Sequence, residues 1–239
     1  MVGMVSSRRA LLLAIAVAWL LEHVVPFGRL VLYPFTLLAT WVHETGHGLA
    51  ALATGGAFDR LLVYWDAAGL AQTREAPGWP VAITAAGGLL APPLVGAILL
   101  AVARGPRRAR TALAVLALAL CATLVLWVRS PAGFVVVPLA AALLGWAAWG
   151  WRDARRLFLA QFIAATLALD TLGRMVSYAF SSSVVVDGKE GASDVAHIAQ
   201  ALGGPAFLWG VVIVALALAF LAVGTWAAWR PAAKPARVA

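Results

Sequence analysis

An all-α polytopic membrane protein, with about seven hydrophobic segments and a small β-hairpin-like insertion, is the fold class this sequence predicts. Three observations lead there. Of 239 residues, 63% are hydrophobic and 12% are charged, against about half apolar and a quarter charged in an ordinary globular domain. The mean hydropathy is +0.92, and a water-soluble fold of this size could not keep so much apolar surface out of solvent. The apolar residues come in runs close to the ~20 residues that cross a bilayer, with the basic residues clustered between them.

The elements follow in order. Residues 10–27 form the first run, after Arg8 and Arg9. No small-residue cleavage site follows its core, only Glu22, His23 and Pro26, so it reads as an uncleaved signal-anchor helix. Residues 30–54 form the second run, stopped by Gly55 and Gly56. Residues 57–78 are more polar. There Leu61, Val63 and Trp65 alternate with Leu62, Tyr64 and Asp66, a turn follows near 67–69, and 69–73 can return as a second strand. This predicts a hairpin over 60–74 at the membrane edge.

Residues 79–229 hold the remaining helices, over 79–103, 111–128, 133–149, 157–180 and 207–229. Pro80, Pro92 and Pro93 predict that the first of these is broken, as is tolerated where protein or water faces the break. Trp79, Trp127, Trp149, Trp151, Trp226 and Trp229 lie at run ends, where an aromatic belt places them. A polar loop spans 181–205, in which Ser193 can cap a short helix through His197 to Leu202. A basic tail occupies 230–239. The whole, 1–239, reads as a single multi-pass membrane domain, with no separate soluble domain expected.

The formal net charge of +8 does not point to nucleic acid. Arg8 and Arg9, then Arg104, Arg107, Arg108 and Arg110, then Arg152, Arg155 and Arg156, then Arg230, Lys234 and Arg237 form short clusters between apolar runs. That is the positive-inside pattern of a protein whose partner is the lipid bilayer. The clusters near 106, near 154 and at the C-terminus share a cytoplasmic side if every later run spans. Arg8 and Arg9 then fall on the opposite side, unless one of the first three runs is re-entrant. The lone Cys121 excludes an intrachain disulfide and a cysteine metal cluster and reads as a buried small hydrophobe.

The chemistry concentrates in His43-Glu44-Thr45-Gly46-His47, inside the second run. An ionisable group within a span is costly and points to function. Positions i and i+4 share a helix face, so both imidazoles can reach one metal ion. Glu44 stands beside that face, placed to take a proton from an activated water. The pattern arises by chance in roughly one chain in a thousand of this composition. The bland alternative is a polar helix that hydrogen-bonds to its neighbours.

Two histidines leave a zinc site short of a third protein ligand. Asp170 is the first candidate, because an aspartate among Leu167, Ala168, Leu169 and Leu172 needs a partner. Arg174, at i+4, could also be that partner. Asp194, beside Ser193, is the second candidate, with a helix N-terminal carboxylate as its alternative role. His197 and His23 read as interfacial or supporting residues.

At this point the chain resembles the site-2 proteases, intramembrane zinc metallopeptidases. The residues that carry the resemblance are His43-Glu44-Thr45-Gly46-His47 in an apolar helix, Gly55-Gly56, the hairpin-like stretch, and Ala86-Gly87-Gly88 with Ala91-Pro92-Pro93. The later Gly191-Ala192-Ser193-Asp194-Val195-Ala196, followed by Gly203-Gly204-Pro205, resembles a compact bacterial branch of site-2-protease-like membrane proteins.

The resemblance implies a zinc metalloendopeptidase that cuts a membrane protein or peptide in or near a transmembrane segment, in a bacterial plasma membrane. His43 and His47 are its zinc ligands and Glu44 its catalytic base. Members take the third ligand from an Asp-Gly pair on a later helix. Here Asp170 is followed by Thr171, and Asp187-Gly188 stands in the polar loop. Two other functions stay open. One is a non-proteolytic, metal-binding membrane scaffold. The other is a small cation or proton transporter using His43, Glu44, His47 and Asp170.

Overall fold

The computed structural model describes the backbone of residues 2–179, 181, 183–186 and 189–230, and the side chains of 8–171, 181, 183 and 191–230. Asp187-Gly188, most of the basic tail and the Arg174 side chain lie outside the described residues. Within them the chain forms α1 (Val2–His23), α2 (Gly28–Ala53), β1 (Ala57–Val63), β2 (Gly69–Arg74), α3 (Trp79–Val102), α4 (Pro106–Leu126) and α5 (Pro131–Gly150). Then come α6 (Asp153–Ala179), β3 (Ser183–Val186), β4 (Lys189–Ala192), α7 (Asp194–Leu202) and α8 (Ala206–Trp229). A proline stands at the start of α3, α4 and α5, where its fixed φ favours the helix and its missing N–H costs nothing.

The helices fall on the expected runs, and among the described residues four or five spans are long and apolar enough to cross a bilayer. Four do so alone: α3, α4, α5 and α8. A fifth is counted if α1 and α2 are one broken span, and these two meet at a 116° bend. The bend passes through Phe27, in the left-handed region at φ 60°. Helix α6, with 27 residues, is long enough but carries Asp153, Arg155, Arg156, Gln161 and Asp170. Its middle is packed in protein, with Ala160, Ile163, Ala164 and Leu167 almost fully buried. The expected break in α3 is absent. The helix runs through Pro92 and Pro93, both of which are buried.

The predicted hairpin forms. Strands β1 and β2 pair antiparallel, with Leu61 opposite Ala71 and a bulge between Phe58 and Arg60. Ala67, at φ 64°, closes the turn, where Tyr64 N donates to the Ala68 carbonyl at 2.9 Å. The outer edge of β1 is covered by the link between α4 and α5. Leu61 N donates to the Trp127 carbonyl (2.8 Å), and the Leu61 carbonyl accepts from Arg129 N (3.0 Å). Ser130 Oγ accepts from Val63 N and donates to the Val63 carbonyl, each at 2.9 Å. Because Leu61 bonds outward, its partner Ala71 also points its backbone groups away from β1. Alternation makes Gly69, Ala71 and Thr73 the outward positions of β2.

A second hairpin, β3 with β4, was not expected. Its sequence signal is Val184-Val185-Val186 before Asp187-Gly188, a run of β-branched residues leading into a turn dipeptide.

The arginine clusters gather at one end of the bundle. The Arg8 guanidinium donates to the Trp229 carbonyl at 2.8 Å and lies 5.4 Å over the Trp229 ring. Arg104 donates to the Arg230 carbonyl. Arg110 lies 5.3 Å over the Trp149 ring. The start of α1 therefore sits with the ends of α3, α5 and α8. The sequence reading put Arg8 and Arg9 on the opposite side unless one of the first three runs is re-entrant. The bend between α1 and α2 removes that conflict, since the two need not make two crossings.

Candidate metal centre

Helix α2 can carry a polar cluster because α3, the hairpin and α7 cover it. Gly46 gives α3 close access. A Cβ there would come within 2.5 Å of both Ala91 Cβ and the Gly87 carbonyl oxygen. Gly88 makes the room for the His47 ring, since a Cβ at Gly88 would stand 2.1 Å from His47 Nε2. The His47 Nδ1–H donates to the Thr84 carbonyl at 2.9 Å. A carbonyl can only accept, so in the neutral ring the lone pair is on Nε2, the nitrogen that faces His43 and Asp194.

Three donor atoms converge. His43 Nε2 and His47 Nε2 are 3.0 Å apart, and Asp194 Oδ2 lies 3.3 Å from the first and 3.5 Å from the second. A tetrahedral ion with bonds of about 2.0–2.1 Å separates its ligands by roughly 3.3–3.4 Å. Two imidazole nitrogens and a carboxylate oxygen at these spacings fit such an ion, and they are the described cluster able to hold a metal. Ser193 aims the carboxylate. Its Oγ accepts from Ala196 N at 3.3 Å and starts α7, which puts Asp194 in the first turn. Burial pushes the Asp194 carboxyl up, but the two imidazoles outweigh this and hold it well below the usual carboxylate range.

Glu44 is buried, at 7% exposure, and the hairpin fixes it. Its Oε2 accepts from Ala71 N at 2.7 Å, through the outward N–H of β2. Gly69 lies directly on it, for a Cβ there would be 2.6 Å from Glu44 Cγ and 2.8 Å from Oε1. Around these groups is a cavity of about 400 Å³ lined by His43, Glu44, His47, Asp194 and the outward positions of β2. Thr84, whose hydroxyl is buried with no protein partner, also lines it.

The sequence put Asp170 ahead of Asp194 as third ligand. The structure brings Asp194 to the histidines and leaves Asp170 on the cavity wall, outside the convergent group. Asp194, the second candidate, reaches the histidines from the first turn of α7. His197 lines the cavity without joining the group. His23 stacks on Trp19, with Nδ1 donating to the Trp19 carbonyl at 3.1 Å. Sequence reasoning missed the Ala71 N–H and the Thr84 carbonyl, since backbone groups leave no mark in a sequence. Gly88 was visible only as part of a glycine pair.

A family model described as peptidase M50B-like matches residues 10–224. No curated protein and no solved structure matches the chain. The match covers nine-tenths of the sequence and spans every group just described; the chain belongs to the peptidase M50B-like family, among the site-2 proteases.

Proposed function

We propose that this protein is an intramembrane zinc metalloendopeptidase that hydrolyses a peptide bond in or near a transmembrane segment of a membrane protein. The observation that carries the reading is the convergence of His43 Nε2, His47 Nε2 and Asp194 Oδ2 beside the buried Glu44. We take His43, His47 and Asp194 to hold the ion and Glu44 to be the base, within one membrane domain of a bacterial plasma membrane. When bound, zinc acts as a Lewis acid that polarises the scissile carbonyl and acidifies water.

The chain's own residues do the rest. Glu44 takes a proton as the water oxygen bonds to the carbonyl carbon, and gives it to the leaving nitrogen as the C–N bond breaks. The Ala71 N–H holds that carboxylate in one orientation throughout. The outward edge of β2 offers the Ala71 carbonyl and the Thr73 N–H to an extended polypeptide. Pairing with that edge unwinds a helical substrate and satisfies its backbone. The cavity walls of Leu89, Pro92 and Ala85 keep bulk water away.

Glu44→Gln tests the division of labour. The variant should fold and bind zinc as the wild type does and lose cleavage of membrane-anchored reporters in proteoliposomes. Gln keeps the size and polarity of Glu but cannot accept a proton at neutral pH. Cleavage at the wild-type rate would rule out this mechanism. Zinc binding with no cleavage by wild type across a broad panel would favour the scaffold.

A further inference from the structure

The two ends of the bundle differ in charge. At one end stand Arg8, Arg9, Arg104, Arg107, Arg108, Arg110, Arg152, Arg155, Arg156 and Arg230, with Asp153 as the accompanying acid among the described residues. At the other, Arg74 pairs with Asp59, and Asp66 and Glu75 accompany Arg60 and Arg129. Among the described residues the hairpin and the link between α4 and α5 are balanced in charge. Arginine in short loops selects the cytoplasmic side, while acids contribute little.

The cavity lies at the balanced end, by three measures along the helices. His47 packs at Thr84–Gly88 of α3, 15 to 19 residues before Ala103, or about 22–28 Å at 1.5 Å per residue. Asp170, on the cavity wall, is 17 residues beyond Asp153 along α6, or about 25 Å. Strand β1 bonds Trp127 and Arg129 at the far end of α4, whose 21 residues span roughly 31 Å. The hydrocarbon core is about 30 Å thick. The metal cluster is therefore inside the far half of the bilayer, and the hairpin and α7 lie at its far boundary.

We infer, resting on the peptidase reading, that the cavity takes its polypeptide from the extracytoplasmic side. Its substrate class is a membrane-anchored polypeptide whose extracytoplasmic flank adds as a strand to the outer edge of β2. The edge faces that side, its unpaired backbone groups line the cavity, and the arginine end closes the cytoplasmic side with packed helices. The transmembrane anchor of the substrate sits in lipid beside the bundle, and the stretch leaving it outward is the stretch that reaches Glu44.

Sidedness is read without catalysis. In a Cys121→Ser background, Gln72→Cys on β2 and Ala154→Cys at the start of α6, both at exposed positions, are treated with a membrane-impermeant maleimide. In intact spheroplasts Gln72→Cys should label and Ala154→Cys should not, and Ala154→Cys should label after permeabilisation. The reverse pattern overturns the inference and leaves the peptidase reading untouched. A second measurement uses single-span reporters with a cleavable stretch on one flank or the other, co-expressed with wild type or Glu44→Gln. Wild-type cleavage confined to the extracytoplasmic flank supports the inference, and cleavage confined to the cytoplasmic flank overturns it. Cleavage of neither flank, with the labelling as expected, counts against the peptidase reading and supports the sidedness.

Discussion

Helices α2 and α8 are of similar length, 26 and 24 residues, and both read as apolar runs. They solve opposite problems. Helix α8 is apolar around its whole circumference and buries only Gly210, Ile213, Ala217 and Gly224, while Leu208, Val211, Leu216, Leu218 and Val223 are exposed. Lipid is as apolar as these side chains, so an all-round apolar surface is stable there. Helix α2 buries Thr40, Trp41, Glu44 and Gly48 among others, and its polar face is covered by elements of its own. The Trp41 indole donates to Thr123 Oγ1 at 2.9 Å, and Thr40 Oγ1 donates to the Ala67 carbonyl at 2.7 Å. A membrane helix that carries chemistry thus exchanges lipid for protein along one side, and α3 and the hairpin provide most of that protein.

The sharpest break of the comparison is at the ligands. Asp194→Asn should lower zinc affinity by at least about 100-fold, the upper range for loss of even a supporting partner of a ligand. Asp170→Asn should cost clearly less, because Asp170 stands on the cavity wall outside the convergent group. Competition with a chromogenic chelator measures both. A larger loss in Asp170→Asn than in Asp194→Asn would reverse the assignment made from the 3.3 Å and 3.5 Å contacts.

The next effect separates holding the ion from moving the proton. Gly69→Ala puts a methyl group within 2.6 Å of both Glu44 Cγ and Thr40 Cγ2 and 2.8 Å from Glu44 Oε1, so it displaces the carboxylate without a direct contact to His43, His47 or Asp194. A displacement of about 1 Å costs on the order of 100-fold in rate. Zinc content should stay at the wild-type level while kcat falls by about that factor. Cleavage within twofold of wild type would show that the hairpin does not position the base.

Much of this was legible in the sequence, for physical reasons. Apolar runs gave the helices because lipid imposes one period and one length. His43, Glu44 and His47 stood out because nothing ordinary keeps three ionisable groups in a span. Alternation over Leu61 to Asp66, with a turn near 67–69, pointed to the first hairpin. What was illegible depended on tertiary approach. The 116° bend rests on a left-handed Phe27, which no local rule favours. Asp194 was the second candidate for the third ligand, and what places its carboxylate 3.3 Å from His43 and 3.5 Å from His47 is the packing of α7, which the sequence does not show. The link from Ala71 N–H to Glu44 is a backbone contact between positions 27 residues apart, and a sequence does not encode such contacts in side-chain identity.

The smallest effect tests the lipid-facing half of the comparison. Leu218, on α8, is 47% exposed and Leu167, on α6, is 1% exposed. Truncation to alanine removes the same atoms from both. At Leu167 it leaves a cavity against Gly96 of α3, whose Cβ position lies 3.5 Å from Leu167 Cβ, and the expected loss is about 2–5 kcal/mol. At Leu218 lipid or detergent fills the space, no protein contact is orphaned, and the change should stay within about 0.5 kcal/mol. Reversible unfolding in mixed micelles reads both variants on one scale. Equal losses would mean that α8 is covered by something other than lipid, such as a second protein surface, and that the contrast with α2 is one of partner rather than of solvent.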